Sequence, residues 1–239
     1  MLITTKAIVI HSLRYSEADL IVTCFTESSG IKTYLLRNIL KSKKGKLKKA
    51  MFQSLTQLEI VANHKNKNTL ESIREAKIDI PYKNLHTDIY KSSISMFLAE
   101  TLKNTIQEEE ENIALYRFLS QAFQKLDELE KFANFHLFFL VHLTHYLGFS
   151  PNLSSTKHPY FNLLDGDFQI AETNKYCISN QNSELLKQFL KSDYDNFASI
   201  KLNKIRRQSF LEMLLLYFQL HLQGFRKPKS LEILNQLFS

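Results

Sequence analysis

Over its first eighty residues the chain alternates short apolar runs with polar breaks, and after Pro81 the period lengthens. Residues 5–11, TKAIVIH, are β-branched and apolar on both faces, the pattern of a strand in a closed or covered sheet. SLRYSEAD breaks that run with turn chemistry, LIVTCFT at 20–26 is a second strand, and SSG at 28–30 turns into a third over 31–36. A basic loop over 37–49 follows, then a fourth strand over 52–61, a polar turn over 64–68, and a fifth element over 70–78 that reads as a strand or a short helix. Five short elements with one long loop between the third and fourth predict a small five-stranded barrel of the OB-fold type.

Beyond Pro81 the apolar spacing is helical. Ile89, Ile94, Phe97, Leu98 and Leu102 predict a helix over 87–105, with Ile106 just beyond. The acidic run at 108–112 reads as a solvated loop at a helix start, and helices follow over 113–129 and 132–147. The second of these, FANFHLFFLVHLTHYL, is apolar nearly all round and so predicts a central helix, ended by Gly148 with Pro151 after it. Residues 150–184 are a looser insert with a hairpin around Asp165-Gly166, a pair suited to a type I′ turn. A short helix over 185–190, a long one over 204–223 ended by Gly224, and a last one from Pro228 and Ser230 to Phe238 complete the pattern. The expected class is α+β: an N-terminal OB-fold domain over 1–80, then a mostly α-helical domain over 81–239 that carries the insert. The scarcity of Gly (5) and Pro (4) agrees with long elements and few tight turns.

Charge sharpens this picture. The formal net charge is +7, and residues 1–80 hold 14 Lys/Arg against 7 Asp/Glu while residues 81–239 hold 17 against 17. The whole excess sits in the first third, the electrostatic footprint of a nucleic-acid module joined to a neutral helper domain. Its focus is RNILKSKKGKLKK, where Arg37, Lys41, Lys43, Lys44, Lys46, Lys48 and Lys49 occur without a single acid. Such a run cannot bury itself and repels itself, so it is expected to stand out from the body as a solvated loop. What it can do is neutralise phosphates and release their condensed counterions. An anionic membrane is disfavoured as a target, because the stretch lacks Trp, Phe or Leu at helical spacing. Single-stranded nucleic acid also stacks on aromatic side chains. Tyr15, Tyr34 and Phe52 are the nearest candidates, and Tyr15, beside Arg14 in a polar turn where nothing requires burial, is favoured.

Other chemistry is thin. Cys24 and Cys177 lie far apart and read as free thiols of a reducing compartment; MLITTKAIVIHS is no signal peptide, and a cytoplasmic protein is expected. His142 and His145 share a helical face, but without a third ligand at matching spacing they read as core or partner-facing residues rather than zinc ligands. There is no Gly-rich phosphate loop, no G-x-S-x-G and no Cys–His nucleophile pair, so no enzymatic activity is expected. Two competing readings are an RNA-binding OB module and a nucleic-acid enzyme with a metal held by Asp165 and Asp167. A hairpin turn explains those two acids more simply.

The opening stretch TKAIVIHSLRYSEADLIVTCFTESSGIKTYLLRN resembles that of the RecO family of bacterial DNA repair and recombination mediators. A polar turn carries Glu17 and Asp19, a strand end carries Phe25, Thr26, Glu27 and Gly30, and a basic segment has Lys41, Ser42 and Lys43 at its centre. HYLGFSPNL at 145–153 is similar to the family's "LGxxPxL" helix end, and RKPKSLEIL at 226–234 to its C-terminal helix, so the likeness spans the architecture. The resemblance implies an N-terminal barrel that binds single- and double-stranded DNA, and a protein that promotes strand annealing. It also implies that, together with RecR, the protein helps RecA displace the single-stranded-DNA-binding protein, at the nucleoid and without catalytic residues. The helical domain would dock partners, among them the acidic tail of the single-strand binder, for which Arg206 and Arg207 are the candidates.

Two departures stand out. Asn38 occupies a place where the family usually has Gly, and Asn is the next-best residue for a left-handed backbone. Many members also place paired cysteines after "PxL" to bind zinc, where this chain has Ser154, Ser155, Thr156, Lys157 and His158, with Cys177 alone downstream. A four-ligand site cannot be assembled from these residues, so no cofactor is expected and the insert must hold itself by packing and its hairpin.

Overall fold

The computed structural model describes residues 1–41, 46–64, 70–179 and 181–238. Strands β1 (Leu2–Arg14), β2 (Leu20–Thr26), β3 (Gly30–Leu36), β4 (Gln57–Asn63) and β5 (Ser72–Ile80) form one antiparallel sheet in the order β3-β2-β1-β4-β5. The sheet is not continuous around the barrel. Its edge strands meet at one parallel bridge, Tyr34 to Glu71, where the Glu71 amide donates to the Thr33 carbonyl at 2.9 Å and the Leu35 amide to the Glu71 carbonyl at 2.9 Å. This is the five-stranded OB-fold topology.

Alternation explains the interior. One residue in two on β2 and β3 points inward, and Val22, Cys24, Tyr34 and Leu36 meet Ala7, Val9, Leu58, Ile60 and Ala62 there. Ala7 to Ile10 are all buried, because the other face of β1 lies under a helix, α1 (Ile89–Thr105). A second helix, α2 (Ile113–Glu128), brings Tyr116 to within 6.2 Å of the Phe25 ring, and its Ser120 hydroxyl donates to Gln57 Oε1 at 2.7 Å.

The fourth strand begins later than its pattern suggested. Residues Lys49–Phe52 form a 3₁₀ turn, and Leu55 adopts a left-handed backbone with φ 66°. The Leu55 amide donates to the Val9 carbonyl and the Val9 amide to the Thr56 carbonyl, at the point where a bulge shifts the β1–β2 register. The element of uncertain type over 70–78 is a strand.

Met1–Glu128 is one compact unit, so α1 and α2 belong with the barrel. The link into α1 is fixed by Asp127, whose carboxylate accepts the amides of Lys83, Asn84 and Leu85 at 2.7–2.9 Å.

Leu129–Ser239 is the second unit. Its centre is α3 (Phe135–Tyr146), buried nearly all round as its apolar sequence requires, with Phe138 stacked on Phe197 at 4.9 Å. Around it lie α4 (Gln181–Leu190), α5 (Lys204–His221) and α6 (Leu231–Leu237). Strands β6 (Tyr160–Asn162), β7 (Asp167–Gln169) and β8 (Cys177–Ile178) make a small sheet in the order β7-β6-β8.

The hairpin differs from the type I′ turn expected for Asp165-Gly166. Asn162 pairs with Asp167 across a four-residue loop, the Gly166 amide returns to the Asn162 carbonyl at 2.9 Å, and only Gly166 (φ 74°) is left-handed. The Asn162 side chain decides this, accepting from the Leu164 amide at 3.0 Å and donating to Asp165 Oδ2 at 2.6 Å.

Candidate nucleic-acid interface

The basic stretch is mounted on the β1–β2 turn. Within that turn Ser16 Oγ accepts the amides of Ala18 and Asp19, and the Tyr15 amide donates to the Asp19 carbonyl at 3.1 Å. Asp19 then reaches the chain leaving β3, where its Oδ1 accepts the Asn38 amide at 2.8 Å. Asn38 is left-handed at φ 58°, the conformation for which Asn replaces Gly best. The Leu40 amide donates to the Ala18 carbonyl at 2.9 Å, and Lys41 Nζ meets Glu17 Oε2 at 3.1 Å. Glu17 and Asp19 are thus the posts to which the start of the basic segment is tied.

The segment is less free than its charge suggested. Ile39 is 6% exposed in the barrel core, and Leu47 and Met51 pack against that core from outside. Ile39 and Leu47 thus anchor the stretch, and the described Lys41 and Lys46 lie close to these fixed points. Lys43 and Lys44 lie outside the described residues. Arg37, Lys41, Lys46, Lys48 and Lys49 are all exposed. Lys46 Nζ meets Glu75 Oε1 at 2.9 Å, in an exposed pair that, like Lys41–Glu17, contributes little and exchanges readily for phosphate. Among the described residues no carboxylate pairs with Arg37, Lys48 or Lys49.

Three other cations of the first third are already paired. Lys32, 9% exposed at its side chain, bonds Glu109 at 2.7 Å, while Lys6 pairs with Asp79 and Lys77 with Glu59. The acidic run therefore does more than face water. Its backbone lies on Gly30 (φ 60°), where a Cβ would overlap the carbonyl oxygens of Glu108 and Glu110.

Of the three aromatic candidates only Tyr15 is available, at 61% exposure. Tyr34 is fully buried, its hydroxyl 2.8 Å from His64 Nε2, and Phe52 at 2% exposure is part of the barrel core. Arg14 is exposed beside Tyr15, its Nε donating to the Ser16 carbonyl at 3.1 Å. Between this turn and the 3₁₀ turn lies a groove of about 860 Å³, with Arg14 and Lys49 on its walls and Leu20, Leu40 and Phe52 among its lining. Sequence reading missed Leu40 and Gln53 as members of this surface, since neither carries a signature of its own.

In the second unit Arg206 and Arg207 part company. Asn203 caps α5 by accepting the Arg206 amide at 2.9 Å, which leaves the Arg206 side chain exposed. Arg207 is half-buried. Its Nε donates to Asn134 Oδ1 at 3.1 Å and its Nη2 to the Leu202 carbonyl at 3.2 Å, and burial pulls its pKa below the usual value. Both line a shallow pocket of about 540 Å³ with Lys201 and Asn203.

Among the described residues no three His, Cys, Asp or Glu side chains come together as a metal site. Asp165 is engaged within its loop, and His142 is held below its usual pKa by burial. Burial pushes the Cys177 thiol up, but hydrogen bonds from the Thr173 hydroxyl and amide and the Asn174 amide outweigh this and its pKa falls. No helix is long and apolar enough to cross a membrane.

Residues 1–81 match the family model described as the N-terminal part of recombination protein O, and residues 86–232 that of its C-terminal part. Among curated relatives, a DNA repair protein RecO of Christiangramia forsetii is 55% identical over 238 residues, all of both chains. One from Flavobacterium johnsoniae is 46% identical over 239 residues and one from Bacteroides fragilis 35% over 242, again over the whole of each.

Proposed function

The chain belongs to the recombination protein O family, which carries a DNA repair and recombination function, and from that premise we propose that it is a DNA-binding mediator that anneals complementary strands without catalysis. The observation that carries this reading is the exposed basic segment fixed at both ends on the OB barrel, with Arg37, Lys48 and Lys49 free of any described carboxylate. Phosphates of single or double strands replace the weak surface pairs of Lys41 and Lys46 and release counterions. Arg14 and Tyr15 add a cation and a stacking face beside the segment.

Family membership supports further roles. With RecR, the protein would open strands coated by the single-stranded-DNA-binding protein to RecA, at the nucleoid. The exposed Arg206, beside Lys201, would take the acidic tail of the single-strand binder, with Arg207 holding the pocket's shape. No cofactor enters this scheme. Where the family resemblance implies paired cysteines for zinc, the chain holds Ser154, Ser155, Thr156, Lys157 and His158, and the insert is packed instead around Phe161, whose ring lies 4.8 Å from that of Phe168 and 5.7 Å from that of Tyr217.

Strand annealing by the purified protein, with neither nucleotide nor divalent metal, tests the reading. Acceleration over the spontaneous rate is expected; no acceleration, or a strict need for metal, would sink it.

A further inference from the structure

Two carboxylates from different elements reach the basic segment. Glu17, in the β1–β2 turn, meets Lys41 Nζ at 3.1 Å, and Glu75, on β5, meets Lys46 Nζ at 2.9 Å. The partners are 24 and 29 residues apart in sequence, so only the fold joins them. All four side chains are between 58% and 85% exposed, so water reaches both pairs and the core has no stake in either. Lys46 holds the Glu75 carboxyl below its usual pKa, first through its hydrogen bond and then through its charge. Arg37, Lys48 and Lys49 have no such partner among the described residues. Asp19, two residues from Glu17, is placed differently, since its carboxylate accepts the Asn38 amide and so fixes backbone.

We propose that Glu17 and Glu75 are stand-ins for phosphate, which hold Lys41 and Lys46 in the free protein, compete with DNA for them, and keep the segment's affinity below what its lysines alone would give. The proposal rests on the DNA-binding reading above and adds two positioning residues to it. A phosphate must displace a carboxylate to reach either lysine. An exposed pair of this kind is worth a factor of about 1.4 to 5, and two together about 2 to 30. The same carboxylates take the lysines back when a strand leaves, which suits a protein that must release what it anneals. Two acids of one turn then have opposite effects. Asp19 supports binding by holding the backbone, and Glu17 opposes it by occupying a cation.

The test uses the full chain carrying Glu17→Gln and Glu75→Gln together, with a labelled oligo-dT of thirty nucleotides read by anisotropy. At about 0.1 M salt this variant is expected to bind about 2- to 30-fold more tightly than the wild type. The gain should shrink toward about 0.3 M, where screening has already weakened the pairs. A control, Glu110→Gln with Glu111→Gln, removes the same charge at the far end of β3, where the Glu110 backbone lies on Gly30. The seven residues of β3 put about 20 Å between that end and the basic segment. This exceeds the screening length of about 10 Å at ~0.1 M, so the control should bind as the wild type does. No gain in the variant, or an equal gain in the control, overturns the proposal. A double-mutant cycle reads each pair by itself. Lys41→Gln should cost about 1.4- to 5-fold more affinity in the Glu17→Gln protein than in the wild type, and Lys46→Gln likewise in the Glu75→Gln protein. Equal costs in both backgrounds also refute it. Failure of the wild type to bind removes the DNA-binding reading itself, and the proposal with it.

Discussion

Replacing Arg37, Lys48 and Lys49 together by Ala removes the three described cations of the basic segment that have no carboxylate partner. The barrel has little stake in them, since all three are exposed and the anchors Ile39 and Leu47 remain. Each single-strand phosphate neutralised adds about 0.7 to the slope of log affinity against log salt, so three lost contacts lower it by about 2. At ~0.1 M salt that slope change is a loss of about 100-fold. A control removes charge where the structure has already spent it: Lys6→Ala with Lys77→Ala takes two cations from ion pairs with Asp79 and Glu59. The control should leave the slope nearly unchanged. Anisotropy of a labelled thirty-mer, titrated from about 50 to about 300 mM salt, measures both. Circular dichroism checks the fold. A triple variant that is folded and keeps the wild-type slope, or a control that loses as much, refutes the assignment of this segment to phosphate binding. Reversal of Lys43, Lys44, Lys46, Lys48 and Lys49 to Glu should go further and abolish binding.

Asp19→Ala should weaken DNA binding although it removes a negative charge, because the Asn38 amide loses its acceptor and the basic segment its post; tighter binding would show that charge alone matters. Gly30→Ala should destabilise the barrel unit by at least about 2 kcal/mol in urea unfolding, from the left-handed backbone and the overlap with Glu108 and Glu110, and a change under about 0.5 kcal/mol would contradict that geometry. Burial and the nearby Arg207 hold His136 at a pKa of about 3, well below its unfolded value. The unfolded chain therefore binds the extra proton first, and stability should fall as pH drops below ~6.5 toward about 3, by up to about 1.4 kcal/mol per pH unit from this residue. His136→Gln should flatten that dependence, whatever it does to stability at neutral pH. Protein prepared without chelator should contain no stoichiometric zinc by elemental analysis; one zinc per chain would return His158 and Cys177 to consideration as ligands.

Much of the architecture was legible in the order of residues, because secondary structure follows from local periodicity. The short apolar run LIVTCFT between polar turns and the helical spacing from Ile89 to Leu102 each need only neighbours a few residues away, and both elements are where the pattern put them. The excess of charge over 1–80 was equally plain, since formal charge is a property of residue type. Partnership is not. Which lysines are spent and which are free depends on carboxylates far along the chain, such as Glu109 for Lys32 and Asp79 for Lys6. The same holds for Asp19 and Asn38, nineteen residues apart, and for Gly30, whose missing side chain is explained only by the backbone of Glu108 and Glu110. The polar turn around Tyr15 already set it apart, but only the folded barrel decides that Tyr34 and Phe52 are interior. The groove beside Leu40 and Phe52 has no sequence pattern at all, because a cavity is a relation among surfaces that meet only when the chain has folded.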